Sequence, residues 1–291
     1  MIRIGVDFGG TKIEAAALDA SGACTVRLRE PNPRVYEDSL QVVRHLVEQV
    51  EAETGARFER VGVGMPGSLS PITGRIRNAN STWLNERPMQ ADLERVLERR
   101  VRMANDADCL ALSEAVDGAG ERAGVVFAAI LGTGCGGGVV VDKRLVAGRN
   151  GFAGEWGHTP LPWPAADEHP GPQCWCGRRG CLETWISGSS FAAHGGASSE
   201  TLVARMRVGD PDAAEAFDRY VSRVARGLAV VCDLIDPDVI VLGGGMSNIA
   251  ELAERLPKAI APHVFSDVFE TPVVAAMHGD SSGVRGAAWL W

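Results

Sequence analysis

The chain has 291 residues, which is enough for one large domain or two ordinary ones. Its 29 basic and 37 acidic residues give a formal net charge of −8, which argues against a basic nucleic-acid-binding surface. No apolar run approaches the roughly 18 residues of a membrane span, and residues 1–10 lack the apolar core of a signal peptide. Free or metal-bound cysteines are expected, because the cysteines suggest no disulfide framework, and this favours a cytoplasmic protein.

A β-hairpin is the first predicted element. Two short apolar runs, IRIGVD and IEAAALD, flank a turn that contains Gly9 and Gly10. Glycines can adopt positive φ and expose backbone N–H groups, which suits phosphate, although most Gly-Gly turns are plain hairpin turns. Asp7, at the end of the first strand, could hold a magnesium ion through water.

Polar residues after two later strands are candidates for substrate recognition. The loop from Arg77 to Asn85 is rich in asparagine, which is typical of a surface loop but also offers donors and acceptors to the hydroxyl groups of a ligand. Asp106 follows a short strand and precedes a helix, where an aspartate is usually an N-cap. The predicted elements of this half are helix 36–53, strand 61–67, helix 88–100, strand 101–104 and helix 108–118.

A second strand–turn–strand unit repeats the layout of the first hairpin. The apolar run 124–131 leads into residues 132–138, which contain five glycines, and then into VVVD. The repetition suggests an internal duplication with two similar lobes, and the G-T-G sequence rules against a Walker-type P-loop. The remaining predicted elements are helices 183–194 and 212–235, strand 239–242 with a glycine turn at 243–245, strand 273–277, and a helix from about 283.

A candidate zinc site lies between the second hairpin and the predicted helix 183–194. Cys174, Cys176 and Cys181 are spaced C-x-C-x4-C, and His158 lies sixteen residues upstream of the first. Three thiolates and one imidazole form a closed tetrahedral set for zinc. The alternatives are three buried cysteines that happen to be close in sequence, or a disulfide.

Three motifs resemble a known family. G-x-x-G-E-x-G-H at 151–158 and C-x-C-G-x-x-G-C-x-E at 174–183 look like the ROK family of bacterial sugar kinases and repressors. D-x-G-G-T-K at 7–12 resembles the first phosphate loop of the actin–hexokinase–Hsp70 superfamily, to which ROK kinases belong. The resemblance implies an α/β, two-lobed actin-like ATPase (ribonuclease H-like, hexokinase-type) fold with an interdomain cleft. Residues 1–118 with 279–291 would form the small lobe and 119–278 the large one.

The resemblance also implies the site residues. Asp106 would be the catalytic base, and a structural zinc ion would be held by His158, Cys174, Cys176 and Cys181. The sugar would contact Asn80, Asn105, Glu155, His158 and Glu183. ATP, with Mg²⁺, would contact Asp7, Gly9, Gly10, Thr11, Lys12, Gly132, Thr133, Gly134, Gly243, Gly244 and Gly245.

The expected function is ATP-dependent phosphorylation of a hexose at its 6-hydroxyl by a cytoplasmic homodimer. The loop at 77–85 and the sequence GEWGHTPLPW at 154–163 are closer to the fructokinase (manno-fructokinase) branch, so fructose is the expected sugar. The alternatives are a glucokinase or an N-acetylglucosamine or N-acetylmannosamine kinase. A sugar-responsive repressor is disfavoured, because the family's repressors carry a winged helix-turn-helix ahead of the first phosphate loop, which here begins at residue 7. No nucleic-acid or membrane partner is expected.

Overall fold

The computed structural model describes residues 2–291 and divides into two units. The first contains the chain up to Glu121, Lys143–Ala153 and His278–Trp291, and the second contains Arg122–Asp142 and Gly154–Met277. The strands are β1 Arg3–Phe8, β2 Lys12–Leu18, β3 Cys24–Pro31, β4 Arg60–Met65, β5 Ser68–Leu69, β6 Ile76–Arg77, β7 Arg100–Asn105, β8 Val125–Leu131, β9 Cys135–Val141, β10 Arg144–Leu145, β11 Val239–Gly243 and β12 Val273–Ala275. The α-helices are α1 Tyr36–Thr54, α2 Met89–Leu97, α3 Asp106–Asp117, α4 Glu183–Ile186, α5 Gly188–Gly195, α6 Ser199–Arg207, α7 Pro211–Ile235, α8 Ala250–Ile260 and α9 Ser282–Ala288.

The first unit is built on a mixed sheet with the strand order β3-β2-β1-β4-β7. The first three strands are antiparallel, and β4 and β7 continue parallel to β1. Helix α1 covers the sheet with the apolar residues that recur every three or four positions, and those between Leu40 and Val50 are buried as the periodicity predicts. Helix α2 ends at Leu97, earlier than predicted, because Glu98 adopts a left-handed conformation and β7 begins at Arg100.

Helix α9 packs against β1, β4 and α3 at unusually short range. A Cβ atom on Gly5 would lie 2.1 Å from the carbonyl oxygen of Val284, and one on Gly62 would lie 1.7 Å from that of Ala287. Any side chain at these two strand positions would therefore push the helix away from the sheet. The close contact brings the start of α9 to Asp7.

The second unit repeats the sheet pattern of the first. Its strands run β9-β8-β11-β12, with an antiparallel β8–β9 hairpin followed by two parallel strands. Both predicted glycine-turn hairpins are thus confirmed. The core is organised by α7, whose N-terminus is capped by Asp210 and whose buried face includes Phe217, Tyr220 and Leu228.

None of the helices among residues 2–291 combines the length and apolarity needed to cross a membrane.

Candidate functional site

A cavity of ≈ 550 Å³ in the first unit collects most of the predicted site residues of that unit. Among these it brings together Asp7, three residues of the first glycine turn, Asn80 and Asp106. Predicted residue Lys12 does not line it and instead begins β2. The full lining is Asp7, Phe8, Gly9, Gly10, Thr11, Arg34, Met65, Pro66, Asn80, Ser81, Thr82, Trp83 and Asp106.

Asp7 lies on β1 opposite Glu14 of β2. Burial, with Asp106 and Glu14 as nearby negative charges, raises the pKa of Asp7 to about 6. Gly283, in the first turn of α9, is close enough that a Cβ there would lie 2.8 Å from Oδ2 of Asp7. The carboxylate is therefore confined between a strand and a helix while it still reaches the cavity.

Asn32 holds the first glycine turn in place. Its Nδ2 donates to the carbonyl oxygen of Gly9 at 2.7 Å, and its backbone N–H donates to that of Thr11 at 2.9 Å. Its Oδ1 accepts from the Arg34 N–H at 2.9 Å and from the Ser39 hydroxyl at 2.7 Å. The sequence analysis missed this residue, although Pro31-Asn32-Pro33 is a turn signal that could have drawn attention to it.

Asn105 and Asp106 stand at the junction of β7 and α3. Asn105 caps the helix by accepting the Ala107 N–H through Oδ1 at 2.8 Å, and its Nδ2 donates to the carbonyl oxygen of Gly67 at 2.8 Å. Oδ1 of Asp106 also accepts from the Ala107 N–H at 2.8 Å. Because Asn105 is the N-cap residue, the capping interpretation of Asp106 does not account for that carboxylate, which lines the cavity.

Some side chains of the asparagine-rich loop, residues 77–85, line the cavity, and others pack or hold the loop together. Asn80 lines the cavity and accepts the Ser81 N–H through Oδ1 at 2.7 Å. Asn85 instead makes two hydrogen bonds to the backbone of Ala79, at 2.9 and 3.1 Å, and so closes the loop on itself. Trp83 packs against Phe8, with 6.0 Å between the ring centroids.

The predicted metal ligands come together in the second unit. One ligand atom from each of His158, Cys174, Cys176 and Cys181 lies within 4.8 Å of all the others. Nδ1 of His158 is 3.6 Å from Sγ of Cys174, and the Sγ atoms of Cys176 and Cys181 are also 3.6 Å apart. A tetrahedral zinc ion with Zn–S bonds of about 2.3 Å requires sulfur–sulfur distances of about 3.8 Å, so the cluster fits such an ion.

The loop that contains the three cysteines is also joined to Glu183, a predicted sugar contact. Oε1 of Glu183 accepts from the Trp175 indole N–H at 2.6 Å, and Oε2 accepts from the Cys135 N–H at 3.0 Å. Trp175 lies between two of the cysteines, and its ring meets that of His158 edge-on at 5.0 Å. Trp175 is thus a positioning residue for Glu183 that the sequence analysis did not single out.

The Glu–His motif, residues 151–158, contains an exposed glutamate next to a buried tryptophan. Glu155 is exposed, whereas Trp156 is buried, donates its indole N–H to the carbonyl oxygen of Gly136 at 2.8 Å, and packs edge-on against Phe127. His158 follows at the end of the same short 3₁₀ turn. Trp156 therefore belongs to the core of the unit, and packing explains why a tryptophan stands at this position.

A buried ion triad anchors the segment that follows. Glu168 accepts from Arg223 at 2.8 Å and from Arg226 at 2.9 Å, both on α7. Although burial raises the pKa of Glu168, the hydrogen bonds from these arginines hold it below its usual value. The triad fixes the segment between the Glu–His motif and the cysteines against the long helix.

A second cavity, of ≈ 640 Å³, lies in the second unit beside the glycine turn at 243–245, which is predicted to contact ATP. It brings together Gly132, Thr133 and Gly245 of the predicted nucleotide-binding residues, whereas Gly134, Gly243 and Gly244 do not line it. Gly244 needs to be glycine, because its φ is 78° and a Cβ would lie 2.6 Å from the carbonyl oxygen of Leu131. Residues of α5 and α6 complete the walls, with apolar side chains such as Val203 beside polar ones such as Glu200 and Arg207, and such a mixed lining suits a nucleobase with a few hydrogen-bonding groups.

Comparisons with known proteins cover nearly the whole chain. The sequence model of the ROK family matches residues 3–291. An N-acetyl-D-glucosamine kinase of Yersinia pseudotuberculosis is 38% identical over 298 residues, 98% of this chain and 97% of that protein. One from Pectobacterium atrosepticum is 39% identical over 297 residues, with the same coverage of 98% and 97%.

Solved structures of similar proteins have the same fold. A ROK hexokinase from Thermus thermophilus is 31% identical, with a TM-score of 0.87 and coverage of 99% of this chain and 97% of that one. A glucokinase from Streptomyces griseus, in complex with glucose and AMPPNP, is 28% identical, with a TM-score of 0.80 and coverage of 99% and 98%. The predicted hexokinase-type, actin-like fold is confirmed. The predicted fructokinase branch gains no support, because these relatives carry other names.

Proposed function

Because the chain belongs to the ROK family, we propose that it is an ATP-dependent sugar kinase that phosphorylates a hexose at its 6-hydroxyl. The near-full-length match to N-acetyl-D-glucosamine kinases carries this proposal. The cavity that holds a glycine turn, Asp7 and Asp106 supports it, because phosphate binding and proton transfer need these groups close together. We also propose that residues 1–118 with 279–291 form one lobe of the kinase and that residues 119–278 form the other.

The chemical step is an in-line phosphoryl transfer. The sugar hydroxyl oxygen forms a bond to the γ-phosphorus, the bond between that phosphorus and the β–γ bridging oxygen breaks, and ADP leaves with the electron pair. The hydroxyl proton passes to Asp106, which we assign as the general base. A base of this kind contributes roughly 10²–10⁴-fold to the rate, and positioning and charge stabilisation contribute the rest.

The glycine turns are assigned to the nucleotide. Backbone N–H groups of Gly9, Gly10 and Thr11, with Lys12 at the start of β2, would bind phosphates. The other assigned residues are Gly132, Thr133 and Gly134, for phosphate, and Gly243, Gly244 and Gly245, for adenosine. Magnesium near Asp7 would neutralise charge on the β- and γ-phosphates. The pKa of that carboxyl is raised first by burial and then by the Asp106 and Glu14 carboxylates, and a cation would relieve the repulsion between these charges.

The sugar contacts are assigned to polar side chains that can hydrogen-bond hydroxyl groups. These residues are Asn80, Asn105, Glu155, His158 and Glu183. Zinc bound by His158 and the three cysteines would be structural and would fix the orientation of the imidazole. The hydrogen bond from Trp175 would hold Glu183 in the same way.

N-Acetyl-D-glucosamine is the sugar that we propose, ahead of glucose. Two kinases of this sugar are 38% and 39% identical to the chain over 98% of its length. Fructose was predicted from the sequence around Trp156 and from the loop at 77–85. Trp156 packs in the core and Asn85 closes its own loop, so these two residues say little about the sugar. Trp83 packs against Phe8 and also lines the cavity.

A panel of sugars in a coupled ADP-release assay tests the proposal. At saturating MgATP, we expect kcat/KM for N-acetyl-D-glucosamine to exceed that for glucose, mannose and fructose. A site that hydrogen-bonds the acetamido group loses those bonds with a plain hydroxyl, so discrimination of roughly 10²-fold or more is attainable. A lead for fructose would restore the predicted branch, and no ADP release with any of the four sugars would contradict the kinase assignment. Light scattering coupled to gel filtration checks the expected homodimer.

A further inference from the structure

Arg34 is the one basic residue among the described residues that line the ≈ 550 Å³ cavity of the first unit. The charged side chains beside it in that lining are the carboxylates of Asp7 and Asp106. Carboxylates repel a phosphate group, so a cavity that receives one needs positive charge from its wall as well as from a metal ion. Arg34 is placed to supply that charge.

The backbone of Arg34 adopts a conformation that arginine does not favour. Its φ is 61°, in the left-handed region that glycine and asparagine adopt more readily. The Asn32 side chain fixes this conformation by accepting the Arg34 N–H at 2.9 Å, and the same side chain binds Gly9 of the glycine turn. A residue held in a disfavoured conformation beside a reaction site points to a use for its side chain.

The two Nη nitrogens of the Arg34 guanidinium are available to bind a ligand. Nε of Arg34 donates to the carbonyl oxygen of Gly10 at 3.2 Å, which ties the guanidinium to the glycine turn. Within residues 2–291, the two Nη nitrogens have no hydrogen-bond or ion-pair partner. A guanidinium fixed through Nε presents two parallel N–H donors, which is the geometry that binds two oxygens of one phosphate.

We propose that Arg34 is a further catalytic residue, whose Nη nitrogens bind the phosphoryl group that passes from ATP to the sugar. This inference rests on the proposed function, since it concerns the same transfer. Charge spreads over the three equatorial oxygens of the phosphoryl group in the transition state, and the fixed guanidinium stabilises that charge. Asp106 takes the proton on the sugar side, while Arg34 binds the group that the sugar oxygen attacks.

The test compares Arg34→Gln, Arg34→Lys and Arg34→Gly with the control Arg57→Gln. Arg57 is an exposed arginine of the same unit that has no ion-pair partner among the described residues and lies outside this cavity. We expect Arg34→Gln to lower kcat by about 10–100-fold with little change in sugar KM, because the lost contact strengthens in the transition state. Arg34→Lys should fall between Arg34→Gln and the wild type, because lysine keeps the charge and loses the fork.

Arg34→Gly separates a structural role from a chemical one. Glycine tolerates the positive φ, so this variant should keep or raise the thermal midpoint while its kcat falls as far as that of Arg34→Gln. A structural role would instead lower the midpoint and kcat together. Arg57→Gln should match the wild type in both measurements.

Nucleotide binding gives a readout that does not depend on turnover. By calorimetry, Arg34→Gln should weaken MgAMPPNP by about fivefold or more and leave MgADP within about twofold, since only the former carries the terminal phosphoryl group. Equal kcat and equal MgAMPPNP affinity in Arg34→Gln and Arg57→Gln would overturn the inference. If the wild type phosphorylates no sugar, the proposed function fails, while the difference between the two nucleotides still decides whether Arg34 binds a terminal phosphate.

Discussion

At Asp7, the stability of the folded protein and the proposed function make opposite demands on the charge of the side chain. Its pKa is raised from 3.8 to about 6, first by burial and then by the Asp106 and Glu14 carboxylates. The folded state therefore binds a proton more tightly than the unfolded state does. The resulting stabilisation is fully present below pH 3.8 and is lost as the pH rises through about 6.

We therefore expect Asp7→Asn to be more stable than the wild type at pH 7–8, by on the order of 1–2 kcal/mol. Asparagine has nearly the same shape and no charge to bury. The advantage should shrink towards zero at about pH 4, where the wild-type carboxyl is also neutral in the folded protein. Thermal unfolding of both proteins across this range measures the difference, and a difference that does not vary with pH would refute the assignment. The variant should also lose activity, because Asp7 is proposed to hold the magnesium ion that binds the phosphates of ATP.

Asp106→Asn tests the general base. Asparagine keeps the size and the acceptor oxygen that receives the Ala107 N–H, but it cannot take a proton. We expect kcat to fall by at least roughly 10²-fold, while calorimetry shows sugar binding within a few-fold of the wild type. A kcat near that of the wild type would remove Asp106 from the mechanism.

The element that contains the cysteines is a compact loop that links the four predicted metal ligands to Glu183. Its cysteines face one another, while Trp175, between two of them, donates to the glutamate at 2.6 Å. Burial, followed by the Cys176 and Cys174 thiols, raises the pKa of the Cys181 thiol to about 12. A bound dication would reverse this preference and favour thiolates, so metal binding and the order of the loop would depend on each other.

We expect about one equivalent of zinc per chain in protein purified without added metal, measured by elemental analysis. Cys176→Ser removes one thiolate and should lower the metal content and raise the sugar KM, because His158 and Trp175 lose their fixed positions. Full metal loss with unchanged sugar kinetics would show that the loop does not act on the sugar site.

Trp175→Phe is the matched variant that separates the metal from the glutamate. Phenylalanine keeps an aromatic ring beside His158 but has no N–H for Glu183. Zinc content should stay at the wild-type level while the sugar KM rises by about tenfold, the effect of losing one hydrogen bond to a charged acceptor. An unchanged KM in a variant with full metal content would exclude Trp175 as a positioning residue.

At the scale of the whole molecule, local patterns predicted most of the elements, and long-range contacts explain the functional residues that were missed. The predicted helix 183–194 was wrong as one element, because Ser187 is extended and separates α4 from α5, and the predicted strand 273–277 ends at Ala275. Both glycine-turn hairpins and the face of α1 follow from residues that are neighbours along the chain. Asn32 and Arg34 gained their importance from hydrogen bonds to residues 23 and 24 positions away, which no periodicity encodes.

Sugar preference was predicted least well, for a physical reason. Motif letters record which residue occupies a position but not which way its side chain points. Trp156 turns into the core and Asn85 turns back onto its own loop, so both can vary with packing while the sugar stays the same. The proximity of His158 and the three cysteines could be predicted because zinc coordination requires those residue types at short spacing.

Net charge supplies a last prediction, which concerns the molecule as a whole. The fold is shared with a ROK family transcriptional regulator that is 20% identical to the chain, so the fold alone does not separate an enzyme from a DNA-binding protein. Non-specific DNA binding depends on lysine and arginine contacts to phosphates and is strongest at low salt. With 37 acidic against 29 basic residues, the chain of 291 residues should repel duplex DNA rather than attract it. We expect no retention of duplex DNA in a gel-shift assay at about 50 mM NaCl, with or without the sugar that gives the highest kcat/KM. Binding that persists there and depends on the DNA sequence would assign the 291-residue chain a regulatory role.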